Sequence, residues 1–202
     1  MLQHAVAGSN GVVGSSSSSS STIDRRPSDA TGARRGRAVD FRSVMGNFPS
    51  GVTVITSLDG QTPAGFTCQA FTSLSLDPPM ISFAVSRESS TRPRILEAGR
   101  FCVNVLAFDQ HPLCKRFAAR GVDRFQGVDW WRSPGGSPVL DGVIAWIDCT
   151  VEAEYPAGDH TIVLGNVREL ACQRTAAPLV FHRGEFASCF PVAGTGTLPR
   201  VG

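Results

Sequence analysis

The sequence predicts a mainly β fold, a closed or nearly closed barrel with a few flanking helices. Three observations carry this. Segments 51–57, 80–86, 101–106 and 161–170 are rich in Val, Ile, Phe and Thr and are bounded by Gly, Pro or Asp, the punctuation of short strands. Residues 143–154 alternate, with Val143, Ala145, Ile147, Cys149, Val151 and Ala153 on one face and Asp148, Thr150, Glu152 and Glu154 on the other. Helical spacing is confined to a few brief stretches, and an antiparallel protein with many short strands removes its edges by closing on itself.

Each element has its own justification. Residues 1–37 combine the serine run Ser15 to Ser21 with Gly, Pro and five arginines, too little apolar surface to repay ordering, and are expected to be a disordered leader. Residues 38–190 form the one domain that the length allows, and 191–202 a flexible tail. Phe41, Val44, Met45 and Phe48 recur at i, i+3, i+4, i+7, an amphipathic helix that Pro49 and Gly51 end. Further helices are expected near Ser90 or Thr91 and over 109–120, where Leu113 and Phe117 share a face. Trp146 and Ile144 interrupt the polar face of 143–154, and such a patch predicts a covering helix or a partner subunit. A final hairpin over 178–190 turns at Arg183-Gly184, since Gly supplies a positive φ readily. Trp130 and Trp131 are expected in loop or interface packing.

Composition excludes several function classes. The formal charge is only +2 and many arginines fall in the leader, so no nucleic-acid partner is expected. No run approaches the roughly 18 apolar residues that cross a bilayer, and no secretory signal opens the chain, which points to a cytoplasmic protein without a membrane partner. The six cysteines include no C-x-x-C pair and several sit in apolar runs, as structural thiols do. The four histidines lack ligand spacing, so no metal is expected. Dinucleotide-fold, P-loop, zinc-protease and nucleophile-elbow motifs are all absent.

Two stretches remain informative. Residues 65–79 (GFTCQAFTSLSLDPP) are dense in small hydroxyl, amide and glycine residues. Backbone N–H groups there are reachable, and a flat heteroaromatic ligand could be gripped, with Phe66 or Phe71 adding apolar contact; composition alone favours a plain strand with a polar outer face. Residues 86–94 (SRESSTRPR) cluster hydroxyls and arginines at a helix start with Pro93 in its first turn. Free N–H groups and the positive helix end suit a phosphate, while ordinary capping accounts for one of those hydroxyls.

These residues resemble the flavin reductase family of FMN-binding split barrels. The anchors are FPSGVTVIT (48–56), GFTCQAFTSLSLDPP (65–79) and GRFCVNVL (99–106), followed by Arg124-Phe125 with Gly127, GDHTIVLGNV (158–167) and PLVFHRG (178–184). The resemblance implies a Greek-key split β-barrel that forms a homodimer with one flavin per subunit near the interface. It implies that Thr67, Cys68, Gln69 and Ala70 line the isoalloxazine, with Ser73 and Ser75 close by. Ser86, Ser89, Ser90, Thr91 and Arg94 would hold the ribityl phosphate. His160 of the Gly-Asp-His motif would place the nicotinamide nucleotide, with Asp159 orienting it and Phe125 either shielding that site or packing in the core. Cys68 and Gln69 stand where the family often has two serines, and Phe181 and His182 where it has an aromatic pair, which leaves ligand preference open.

The expected activity is NAD(P)H:flavin oxidoreduction: FMN or FAD is reduced by NADH or NADPH and delivered to a separate flavin-dependent monooxygenase. No catalytic acid or base is required, because the cofactors hold the reactive groups and the protein supplies geometry and electrostatics. The alternative is a non-catalytic flavin-binding or carrier protein, with the pocket but no nucleotide access.

Overall fold

The structure is a computed structural model that describes residues 40–190; the predicted leader and tail lie outside the described residues. In chain order the elements are α1 (Phe41–Met45), β1 (Ser50–Gly51), β2 (Thr53–Asp59), β3 (Thr62–Cys68), β4 (Phe71–Leu76), β5 (Pro79–Ser86), α2 (Thr91–Ala98) and β6 (Arg100–Val105). A 3₁₀ turn (Phe108–Gln110) leads into α3 (His111–Ala118), followed by β7 (Trp130–Arg132), β8 (Pro138–Leu140), β9 (Ala145–Ala157), β10 (His160–Cys172), β11 (Val180–His182) and β12 (Glu185–Ala187). Strands dominate, as the sequence predicts.

Seven strands form one antiparallel sheet in the order β3-β2-β6-β9-β10-β5-β4. The sheet curls until β3 approaches β5, where the Cys68 thiol lies 3.6 Å from the Ala84 carbonyl oxygen. The barrel is nearly closed there but carries no β3–β5 ladder. Its interior holds Ile55, Ile81, Phe83, Val85, Phe101, Val103 and Val163, with Ile95 of α2 packed against them. Gly165 on β10 is needed for this filling: a Cβ there would come 2.5 Å from the Phe101 ring, and the β9–β10 register shifts between Leu164 and Gly165.

A second cluster lies on the outer side of β2 and β6. Val54 and Cys102 meet Phe117 and Cys114 of α3, Val139 and Leu140 of β8, and Leu179 beside β11. Both faces of β2 and β6 are therefore covered, and β2 is buried continuously from Thr53 to Leu58 rather than at alternate residues. Trp146 corrects the sequence expectation of an outer patch needing a helix or a partner. It is 7% exposed and packs edge-on against Trp131, ring centroids 5.6 Å apart, so the covering element is the β7–β8 ribbon. Asp148, expected on the polar face, is also buried and accepts the Gly135 N–H at 2.7 Å.

The predicted first helix is shorter than its spacing suggests, and none of its residues is buried. Phe41, Val44, Met45 and Phe48 all face out of this chain. The following loop is tied down instead, by Asn47 accepting both Nε and Nη2 of Arg183. The β11–β12 hairpin turns at Arg183-Gly184 with φ of 51° and 85°, the two positive values of a type I′ turn.

Candidate functional site

The two informative stretches meet in one cavity of about 650 Å³, within the ~300–1,000 Å³ of small-molecule sites. Its floor is the break between β3 and β4. β3 is an edge strand, pairing only with β2, so polar backbone groups on its free side have no ladder partner. Thr67, Cys68, Gln69 and Ala70 line the cavity together, with Ala84 and Val85 of β5 opposite. The Thr67 hydroxyl donates its one proton to the Cys114 carbonyl at 2.7 Å and fastens β3 to α3, so towards a ligand it can act only as an acceptor. Burial pushes the Cys68 thiol up to about 12, so it presents a neutral S–H rather than a thiolate.

The wall above this floor is the turn from β5 into α2, where Ser86, Ser89 and Ser90 line the cavity. The turn holds itself by Glu88 N–H donating to Ser86 Oγ and Thr91 N–H to Ser89 Oγ, each at 3.3 Å. Ser90 stands at the N-cap of α2 but makes no side-chain capping bond. Hydroxyls, helical N–H groups and the arginines of the wall are gathered at this end, the kinds of donor that an anion uses. Glu88 lines it too, a negative group among donors.

His160 opens β10 on the same rim and is the Cα partner of Ser86 across the β5–β10 ladder. Its Nδ1 lies 2.8 Å from Asp159 Oδ1, and this hydrogen bond holds the Asp159 carboxyl below its usual range. The turn is anchored to the serine loop by Arg87, whose N–H donates to the Asp159 carbonyl at 3.0 Å.

Five predicted residues stand elsewhere. Ser73 and Ser75 lie along β4, outside the cavity. Thr91 is buried, its hydroxyl donating to the Gly65 carbonyl at 3.4 Å. Arg94 donates to Asp59 Oδ2 and to the Thr62 carbonyl, and it lines an adjoining cavity with Thr91 and Phe125. Phe125, expected either to shield the nucleotide site or to pack in the core, packs edge-on against Phe117, centroids 5.0 Å apart, and lines the adjoining cavity rather than the one that holds His160.

Two arginines in the cavity wall have no role in the sequence reading, Arg120 and Arg124. Arg124 donates to the Ala119 carbonyl through Nε and, through Nη1, to the Gly65 carbonyl at 2.6 Å and Thr91 Oγ1 at 3.3 Å. Partial burial lowers its pKa from the ordinary value. The Arg124-Phe125 pair was a visible signal, but it gave no hint that a loop after α3 closes over α2. Among the described residues, no cluster of His, Cys, Asp and Glu could hold a metal ion.

The flavin reductase like domain matches residues 45–189. The reductase subunit HsaB of a flavin-dependent monooxygenase from Rhodococcus jostii is 44% identical over 163 residues, 79% of this chain and 84% of that protein. The FMN reductase (NADH) SmoA of Agrobacterium fabrum is 40% identical, over 72% of this chain and 83% of its own. Among solved structures, the NADH:FAD oxidoreductase SgcE6 of Streptomyces globisporus, in complex with NAD and FAD fragments, superposes with a TM-score of 0.71 at 36% identity, covering 75% of this chain and 92% of that one. With a matched domain over most of its described length and relatives this close, the chain belongs to the flavin reductase family.

Proposed function

We propose that this chain is an NAD(P)H-dependent flavin reductase that reduces FMN or FAD and passes the reduced flavin to a separate monooxygenase. The single observation that carries the reading is the convergence of Gln69 and Ala70, the serines of the β5–α2 turn, and His160 on one cavity in a chain of this family. When bound, the flavin supplies the hydride acceptor and the nicotinamide nucleotide the donor. The residues around them bind and orient. The β3–β4 break offers backbone donors to the ring's polar edge, where negative charge arrives on reduction. Ser86, Ser89 and Ser90 with the N-terminus of α2 take the phosphate. His160, steadied by Asp159, contacts the nicotinamide nucleotide.

Delivery to a monooxygenase follows from the reductase subunit named above, 44% identical. A homodimer is part of the same proposal. Phe41 and Phe48 are 76% and 73% exposed, and Phe190 is 80% exposed, an apolar set that a second copy of the chain would cover. Free thiols at all six cysteines fit the reducing cytoplasm. The test is flavin-dependent oxidation of NADH and NADPH by purified protein, with sedimentation to read its mass. Tight flavin binding without nucleotide oxidation would favour the carrier reading.

A further inference from the structure

A separate cavity of about 380 Å³ shares no lining residue with the cavity of the serine turn. β10 runs from His160 on that rim to Arg168 and Glu169 on this one, about 25 Å along the strand at ~3.3 Å per residue. We infer that this cavity is a second binding site whose ligand is a small zwitterion of the α-amino-acid class, its ammonium held by Asp148 and its carboxylate by Arg100 and Arg168. The inference is independent of the flavin site and goes beyond the reductase reading.

The cavity is built around a buried carboxylate. Asp148 on β9 is 2% exposed; its Oδ2 accepts the Gly135 N–H at 2.7 Å, while its Oδ1 is buried with no hydrogen-bond partner. Buried polar atoms in folded proteins are nearly always paired, and a charged group is the costliest to leave unpaired. The turn between β7 and β8 fixes the group in place, because Gly135 comes so close that a Cβ there would collide with the carboxylate. What Oδ1 lacks is a donor, and a cationic donor makes the stronger bond. The carbonyl end of α2 reaches the same cavity at Ala98 and Gly99, and the negative end of a helix also favours a cation.

Two guanidiniums line the cavity as well. Arg100 is not the partner of Asp148: its Nη1 donates to the Gly135 carbonyl at 2.7 Å, which leaves Nε and Nη2 to a ligand. Arg168 is exposed on β10 and adds the second. Asp148 and Glu169 therefore balance Arg100 and Arg168. A simple cation would meet two guanidiniums here and a simple anion two carboxylates, whereas one small molecule carrying both charges answers both sets. The volume lies at the lower end of the ~300–1,000 Å³ of small-molecule sites.

The test is titration of the isotope-labelled full chain with L-alanine, and separately with ethylamine and propionate, its two halves, read by NMR at the amides of Gly99 and Gly135. L-alanine is expected to shift both resonances saturably with a millimolar or tighter Kd, and each half to bind about tenfold or more weaker. The His160 amide should stay where it is. Asp148→Asn keeps the shape, removes the charge and is expected to abolish the response. Arg168→Gln, at an exposed position, should weaken binding about three- to tenfold without lowering the thermal midpoint, and Arg168→Lys should recover part of the loss. Absence of any saturable shift up to about 50 mM L-alanine would overturn the inference and leave Oδ1 to a water molecule. Equal responses to L-alanine and to either half would overturn it too, as would an R168Q variant that binds like wild type, whether or not D148N folds.

Discussion

His160 and Ser86 are Cα partners in the ladder between β10 and β5. Residues distant in the chain are thereby fixed on one rim, and the β9–β10 turn cannot shift without moving the serine turn. The Arg87 N–H bond to the Asp159 carbonyl reinforces the link. His160→Ala is expected to raise the KM for NADH by about two- to tenfold, the value of one lost hydrogen bond to a ligand. Flavin affinity should be unchanged, and Asp159→Asn should fall between wild type and H160A. Steady-state kinetics with a parallel flavin titration checks this; an unaltered KM in both variants would remove His160 from the nucleotide site.

Arg124 holds three elements at once, through the Ala119 carbonyl after α3, the Gly65 carbonyl on β3 and Thr91 Oγ1 on α2. Arg124→Ala removes the donor to the buried Thr91 Oγ1 and one of the two donors to the Gly65 carbonyl, which keeps the Thr91 hydroxyl, at about 1 kcal/mol. A lowered denaturation midpoint and a weakened flavin affinity are expected together. Stability lost without any loss of flavin affinity would restrict Arg124 to scaffolding.

Gly65 is required for a close approach. A Cβ there would lie 2.8 Å from the Phe117 ring and 3.0 Å from the Ile55 carbonyl oxygen, whereas one on Gly51 would meet nothing within 4 Å. Gly65→Ala should cost about 1–3 kcal/mol by overpacking, and Gly51→Ala should change stability by less than about 0.5 kcal/mol. Urea denaturation of the two variants makes the comparison.

The thiols give a pH prediction. Burial pushes both Cys68 and Cys149 up to about 12 from an ordinary value of 9.0. The folded chain therefore keeps protons that the unfolded chain releases, so stability is intact below about pH 9 and falls as pH rises from there towards 12. At pH 8 in native protein, a thiol reagent should label Cys172 and Cys189, which are exposed, and spare the buried Cys68, Cys102, Cys114 and Cys149. Labelling of Cys68 in the native state would contradict its burial under the cavity floor.

Local patterns made much of the fold legible. Strand composition located β5, β6 and β10, and Arg183-Gly184 located the last turn, because side-chain preference and turn chemistry act over a few residues. The faces of β9 were misread at Trp146 and Asp148, since period-2 alternation assumes one solvated side and the β7–β8 ribbon covers that side. In the candidate site, Gln69, Ala70, Ser86, Ser89, Ser90 and His160 line one cavity. Arg94 and Thr91 lie one cavity away, a displacement set by the direction of α2 that spacing alone does not encode. Arg120 and Arg124 escaped because their place depends on how the loop after α3 folds back over β3.

The most direct test of the central claim is anaerobic oxidation of NADH by the purified chain, followed at the nicotinamide absorbance with and without added flavin. Turnover that depends on added flavin, and that His160→Ala impairs through KM, is the result expected. Flavin that binds in the cavity while NADH remains unoxidised would contradict the account and leave a flavin-binding protein without reductase activity.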